Sequence, residues 1–156
     1  MKFEECYRGF IFAQIEMEKN QEGIPKKNII QIEPYARKKN LRPYSDKDNI
    51  TAPYNSFTGV LAPDIVLIDV DNAEQGEKLW EILENMGIDC PVIETTKGYH
   101  FLFRNNGMYK KSDTKFYTPI GIETDIKLGD KNGLEFLTVA GKERKILNDT
   151  GNIPDL

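Results

Sequence analysis

Asp69 and Asp71 stand one residue apart at the end of the run VLIDVD, Val66–Asp71. Side chains alternate along an extended strand, so the two carboxylates share one face while Val66, Ile68 and Val70 share the other. Two carboxylates placed this way bind a hard divalent cation, Mg²⁺ or Mn²⁺, through oxygen. A third carboxylate from a neighbouring strand completes a two-metal site, with ions about 3.5–4 Å apart, that activates an attacking oxygen and steadies a leaving one in phosphoryl transfer. The segment Ile122–Leu128 offers two such acids. Glu123 and Asp125 share a face with Lys127, opposite Ile122, Thr124, Ile126 and Leu128. In Tyr99–Arg104 the chain's single histidine, His100, lies with Leu102 and Arg104 opposite Tyr99, Phe101 and Phe103. A His or Lys beside such acids supplies a donor to a triphosphate. Crowded carboxylates repel one another without a cation, so the cluster predicts a metal. Asp-x-Asp by itself is a weak signal; the ordered combination carries the reading.

These side chains meet only if particular elements hold them. The β-branched run Ile65–Val70 predicts a buried strand. Asn72 is an N-cap with Gln75 three residues on, as in a capping box. A helix follows to about Met86, with Leu79, Trp80, Leu83 and Met86 on one stripe, and Gly87 stops it. Strands are predicted over Pro91–Thr95 and Tyr99–Arg104, joined by a turn at Thr96-Lys97-Gly98. A polar loop covers 105–118. Gly121–Leu128 is a strand, Asp130–Gly133 (DKNG) a hairpin turn, and Leu134–Ala140 the returning strand. Earlier in the chain, Phe3–Tyr7 begins a helix and Gly9–Ile15 suits a strand. Pro25, Pro34, Pro43 and Pro53 then punctuate short elements and loops. This order predicts an α+β sheet with helices on one face.

Composition bounds the rest. A chain of 156 residues suggests one domain. With 39% hydrophobic and 29% charged residues it reads as folded rather than disordered. No apolar run approaches the roughly 18 residues of a membrane span, and Met1–Glu5 lacks the apolar core of a signal peptide. Two cysteines, Cys6 and Cys90, are too few for a zinc ribbon or a disulfide framework, so the expected compartment is a reducing cytoplasm. The net charge of −4 speaks against a grip on duplex DNA by charge alone. That charge is uneven: residues 1–63 balance to +2 and residues 64–156 to −6. The basic excess gathers at Lys26, Lys27, Arg37, Lys38, Lys39, Arg42 and Lys47, interleaved with Tyr35 and Tyr44. It is either a solvated lysine-rich surface or a strip that meets phosphates, with Tyr rings free to stack on bases. Lys142, Arg144 and Lys145 form a second, smaller basic group.

Three segments in this order resemble the archaeo-eukaryotic primase superfamily, and most closely the primase-polymerase domain at the N-terminus of phage and plasmid replication primase-helicases. VLIDVD (Val66–Asp71) resembles the family's strand ending in Asp-x-Asp before a helix. TTKGYHFLF (Thr95–Phe103) resembles its turn and strand with a nucleotide-contacting His. GIETDIKLGDKNGLEFLTVAGK (Gly121–Lys142) resembles the strand with the third metal carboxylate and the hairpin after it. SFTGVLAP (Ser56–Pro63) is similar to the lead-in. The likeness spans about Ser56 to Lys145. Gly98 departs from it, since the family often has Ser two residues before the His; a backbone N–H could substitute there.

The resemblance implies an RRM-like antiparallel or mixed sheet with flanking helices and a small N-terminal α/β unit, the active site in the cleft between them. It implies one catalytic domain over 1–156, with a subregion 1–60 and a metal-binding sheet over 61–145. Asp69, Asp71 and Asp125 would hold Mg²⁺ or Mn²⁺, Asp125 being preferred because Lys127 fits the family's basic position two residues later. His100 would contact the incoming nucleotide's phosphates, with Thr95, Thr96, Lys97 and Lys127 near the triphosphate. Lys38, Lys39 and Arg42 would belong to a surface for the nucleic acid. The implied activity is DNA priming and polymerisation from NTPs or dNTPs on a single-stranded DNA template in phage or plasmid replication. It would take place in the cytoplasm (that of the bacterial host if phage-encoded), with a replicative helicase as a further partner and no membrane. Two other readings stand beside it. A chain ending at Leu156 leaves no room for helical and helicase domains, so it could be a primase-like module that binds nucleotide or single-stranded DNA and synthesises little. An unrelated metal-dependent Asp-x-Asp transferase or nuclease would leave His100 and Asp125 without a shared role.

Overall fold

The computed structural model describes residues 3–107, 109–110, 113–117 and 122–156, with the backbone alone for 113–117. A 3₁₀ turn over Phe3–Cys6 buries Phe3 and Cys6. It leads into β1 (Tyr7–Lys19), which pairs antiparallel with β2 (Pro25–Ile32) in a long hairpin. After a second 3₁₀ turn, Tyr44–Asn49, come β3 (Ser56–Leu61), β4 (Ile65–Val70) and α1 (Ala73–Asn85). Then follow β5 (Val92–Glu94), β6 (Tyr99–Arg104), β7 (Asp113–Tyr117) and β8 (Glu123–Leu128). The chain closes with β9 (Leu134–Val139), β10 (Lys142–Glu143) and β11 (Ile146–Asn148). The class is α+β. Five strands form one sheet in the order β10-β9-β3-β1-β2, and six form another in the order β11-β5-β6-β4-β8-β7. All neighbouring strands in both sheets run antiparallel.

The six-stranded sheet is covered on both faces, which is why β4 is buried along its whole length. On one face Val66, Ile68, Val70, Phe101, Phe103, Ile126 and Leu128 pack with Leu83 of α1. On the other, Ile65, Leu67, Ile93 and Leu102 share one apolar cluster with Phe10, Phe12, Phe57, Leu61 and Leu137 of the five-stranded sheet. Each large side chain buried this way contributes about 1.5–3 kcal/mol. The helix forms where its signals place it. The Asn72 side chain accepts a hydrogen bond from the Gln75 N–H at 3.0 Å, and Gly87 leaves the helix at φ 71°. Both cysteines are free and buried. Among the described residues no helix is long and apolar enough to cross a membrane.

Four expectations change. Phe3–Tyr7 does not start an α-helix: the 3₁₀ turn gives way at once to a 13-residue strand. Among the described residues the N-terminal region therefore holds strands and 3₁₀ turns but no α-helix, and α1 alone flanks the sheets. The stretch expected as a loop contains β7, and Gly121 lies outside the described residues. The DKNG turn makes no hairpin, because β8 and β9 belong to different sheets: β9 pairs with β3, Thr58 opposite Phe136. The reason lies in the crossing itself. A Cβ on Gly129 would stand 1.7 Å from the Ala62 carbonyl oxygen, so the link between β8 and β9 presses directly on the link between β3 and β4. Asn132, left-handed at φ 57°, then redirects the chain into the second sheet. Consequently β9 and β10, within 61–145, lie in the sheet of the N-terminal strands rather than in that of the aspartates.

Candidate metal centre

Three adjacent strands assemble the acids. Asp69 of β4 stands opposite His100 of β6 on one side and opposite Asp125 of β8 on the other. Alternation puts Asp69 on the face that carries Ile65 and Leu67 between the sheets. That layer is apolar at one end and ionisable at the other. One carboxylate oxygen from each of Asp69, Asp71 and Asp125 falls within 4.8 Å of the others; Asp69 is buried, Asp125 half-buried and Asp71 exposed. Glu123, the competing acid, stands outside this group. It lines a second cavity of about 290 Å³, on which the three aspartates also border, with Asn72, Gln75 and Thr124.

The cluster opens on a cavity of about 330 Å³. Its walls bring together Asp69, Asp71, Asp125, His100, Thr95, Thr96, Lys97 and Lys127. They also include residues to which the sequence reading gave no role at the cluster: Lys27 and Met17 from the β1–β2 hairpin, and Arg144 beyond β10. A larger cavity of about 600 Å³ adjoins it, sharing Met17, Pro25, Thr95, Thr96 and Arg144. Lys27 is half-buried, its Nζ 4.4 Å from the centroid of the Phe136 ring. Burial, with Arg144 and Lys127 nearby, brings its ammonium down to about 8.

His100 is 5% exposed and held between acids from both sheets. Its Nδ1 pairs with Glu135 of β9, and its Nε2 stands 3.1 Å from Asp69 Oδ1. That approach is a close ion pair rather than a well-aligned hydrogen bond. Burial works against the imidazolium, yet Glu135 and Asp69 outweigh it and raise His100 to about 9. Burial likewise opposes the Asp69 anion. The His100 charge and the Lys127 ammonium, 3.9 Å from Oδ2, override it and hold the carboxyl down to about 2. Asp71 moves the other way, raised first by desolvation and then by the negative charges of Asp69 and Asp125.

Glu135 escaped the sequence reading, although a signal existed: it shares its face of β9 with apolar Leu137 and Val139, where an acid has no business unless it is paired. The structure also accounts for Gly98. A Cβ there would lie 1.8 Å from the Val70 carbonyl oxygen, beside Asp71. The Gly98 N–H donates to Thr95 Oγ1 at 3.0 Å, tying the turn. Lys38, Lys39 and Arg42 lie apart from both cavities. The two lysines are exposed, whereas the Arg42 guanidinium pairs with Glu33 and Asp46 and sits 3.8 Å from the Phe12 ring centroid. Tyr44 is not free to stack on a base. Its ring packs against Phe3, Phe10 and Phe57, because the polar-looking segment around it folds over the aromatic core. Compared with family models, curated proteins and solved structures, the chain matches none, and the reading of this site rests on its own residues.

Proposed function

We propose that this protein is a metal-dependent nucleotidyltransferase of the archaeo-eukaryotic primase kind, a primase-polymerase domain that extends nucleic acid from NTPs or dNTPs on single-stranded DNA. One observation carries the reading: three converging carboxylates, with Lys127 beside them, line a cavity to which Lys27, Lys97 and Arg144 also contribute. An anionic ligand bound through divalent cations needs that pairing of acidic with basic groups. The residues fit such cations. The donors are all hard carboxylate oxygens, Asp69 Oδ1 is buried with no well-aligned hydrogen-bond donor, and the Asp71 carboxyl is raised by desolvation and by the charges of Asp69 and Asp125, a repulsion that a cation would relieve.

Asp69, Asp71 and Asp125 would hold Mg²⁺ or Mn²⁺. When bound, such ions offset phosphate charge and make an attacking hydroxyl more acidic. The chain's own groups do the rest. His100 and Lys127 keep Asp69 ionised, and so available as a ligand throughout the physiological range. Lys127, Lys97, Lys27 and Arg144 offer donors to phosphate oxygens. The adjoining 600 Å³ cavity, floored by Met17, Pro25, Val139 and Ala140, leaves room for the sugar and base. In this reading the antiparallel six-stranded sheet with α1 corresponds to the RRM-like part of that fold, and the layer between the sheets to its cleft.

Primer extension on a single-stranded DNA template with Mg²⁺ or Mn²⁺ tests the proposal, comparing wild type with D69A/D71A. Extension that disappears in the variant supports it. Nucleotide or DNA binding without extension would indicate a binding module instead. Metal-dependent cleavage of DNA without nucleotide would indicate a nuclease, and indifference to both substitutions would refute the assignment.

A further inference from the structure

Glu135 is fully buried, yet among the described residues its carboxylate has no Lys or Arg within ion-pair distance. Its Oε2 pairs with His100 Nδ1, and its Oε1 has no hydrogen-bond donor. Opposite it on β3 stands Gly59, against which the Tyr7 ring lies, with a hydroxyl that is also buried and unpartnered. Stability is a poor reason to keep such an acid. Buried ion pairs exchanged for apolar side chains of similar volume often leave a protein as stable or more so. What the geometry does accomplish is a link between sheets. Glu135 belongs to β9 of the five-stranded sheet and His100 to β6 of the six-stranded one. An imidazole anchored through Nδ1 presents Nε2 in one direction only, and here that direction is Asp69.

We infer that Glu135 is a positioning residue, which holds His100 across the interface between the sheets so that Nε2 faces the Asp69 carboxylate. It acts through His100 on the acid cluster and touches neither metal nor substrate. The inference rests on the reading of the cavity as a metal-dependent transfer site. It makes the docking of the two sheets, and not the six-stranded sheet alone, a condition for a competent cluster.

The single histidine allows a direct test, since ¹⁵N labelling of histidine yields the imidazole of His100 alone. In wild type the Nδ1 proton should resonate far downfield and exchange slowly. In E135Q it should move upfield and exchange faster. Outer partners of metal ligands are worth about 10- to 100-fold in affinity or activity. E135Q should therefore lower kcat for extension by about 10- to 100-fold and weaken Mn²⁺ binding by about tenfold, with the nucleotide KM changed less than about threefold. An unaltered imidazole spectrum together with kcat and Mn²⁺ affinity within twofold of wild type would overturn the inference. If E135Q does not fold, H100L/E135L removes both buried charges together. It should fold and bind Mn²⁺ more weakly, and wild-type Mn²⁺ affinity in that folded variant would equally overturn it. D69N, measured alongside, separates the two claims. An inactive D69N beside an unaffected E135Q removes only the role of Glu135. A D69N that still binds Mn²⁺ and extends primers removes the metal reading and this inference with it.

Discussion

The two faces of the six-stranded sheet are buried in different ways. Under α1 the face is apolar apart from Thr124: Val66, Ile68, Val70, Phe101, Phe103, Ile126 and Leu128. Toward the five-stranded sheet it begins apolar, at Ile65, Leu67 and Leu102, and finishes as Asp69, His100 and Asp125. The same strands, one residue out of phase, build a core on one side and a charged cavity on the other. The apolar face needs only shape and hydrophobic contact, so it tolerates change in proportion to volume. The other face depends on a set of opposite charges, where removal of one partner leaves another buried and uncompensated. Stability should therefore reside mainly on the helix side, and chemistry at the ionisable end of the inter-sheet side.

The sharpest break in that contrast comes from Asp69. D69N nearly preserves volume but removes the central charge. Loss of a group that stabilises developing charge costs roughly 10²–10³-fold, so extension should fall by at least that much, and it should do so at temperatures where the variant, destabilised by the loss of a partner for His100, is still folded. A large drop in midpoint with modest loss of activity would reverse the assignment of the two faces. On the helix side L83A, at a residue 8% exposed, should cost about 2–5 kcal/mol of unfolding free energy. Urea denaturation measures this, and Mn²⁺ affinity at temperatures where the variant stays folded should be that of wild type.

Next in size is the pH dependence of stability in chelator. His100 rises from 6.5 in the unfolded chain to about 9 when folded. Its stabilisation is complete below pH 6.5 and lost as pH climbs through 9. Lys27, lowered from 10.5 to about 8, has the opposite sign: its penalty is relieved as pH rises above 8. The His100 contribution is therefore read between pH 6.5 and 8, where stability should fall by on the order of 1–2 kcal/mol. H100L/E135L should be flat over that window, and a wild-type curve equally flat would mean that the pair is not charged. The smallest effect belongs to the exposed lysines. Should Lys38 and Lys39 meet template phosphates, K38A/K39A should lessen the salt dependence of single-strand binding by about 0.7 in log–log slope for each phosphate no longer neutralised. An unchanged slope would leave them as a solvated surface and confine the functional region to the cavity.

Local chemistry made much of this legible. The alternation in Val66–Asp71, Tyr99–Arg104 and Ile122–Leu128 assigned each ionisable group to its face. Asn72, Gln75 and Gly87 bounded the helix to within a residue or two. Other features were hidden because long-range pairing leaves little local trace. The DKNG motif has the composition of a hairpin turn, yet contact between Gly129 and Ala62 sends the chain across to the other sheet. Glu135, an acid on the face of β9 that carries Leu137 and Val139, has no visible partner until β9 is seen to dock beside β3 and bring it to His100. Tyr44 sits among prolines and charges that suggest a surface, yet its ring closes the aromatic core.

By itself, then, the sequence determined which residues could act together, because strand periodicity is a property of the backbone and needs no tertiary contact. The tertiary structure alone decided that those residues face a second sheet rather than water. It also supplied Glu135, Lys27 and Arg144 from segments distant in the chain. Glu135 and Asp69 raise His100, and His100 with Lys127 lowers Asp69, each against the opposing effect of burial, and Glu135 reaches His100 only once both sheets have formed and docked.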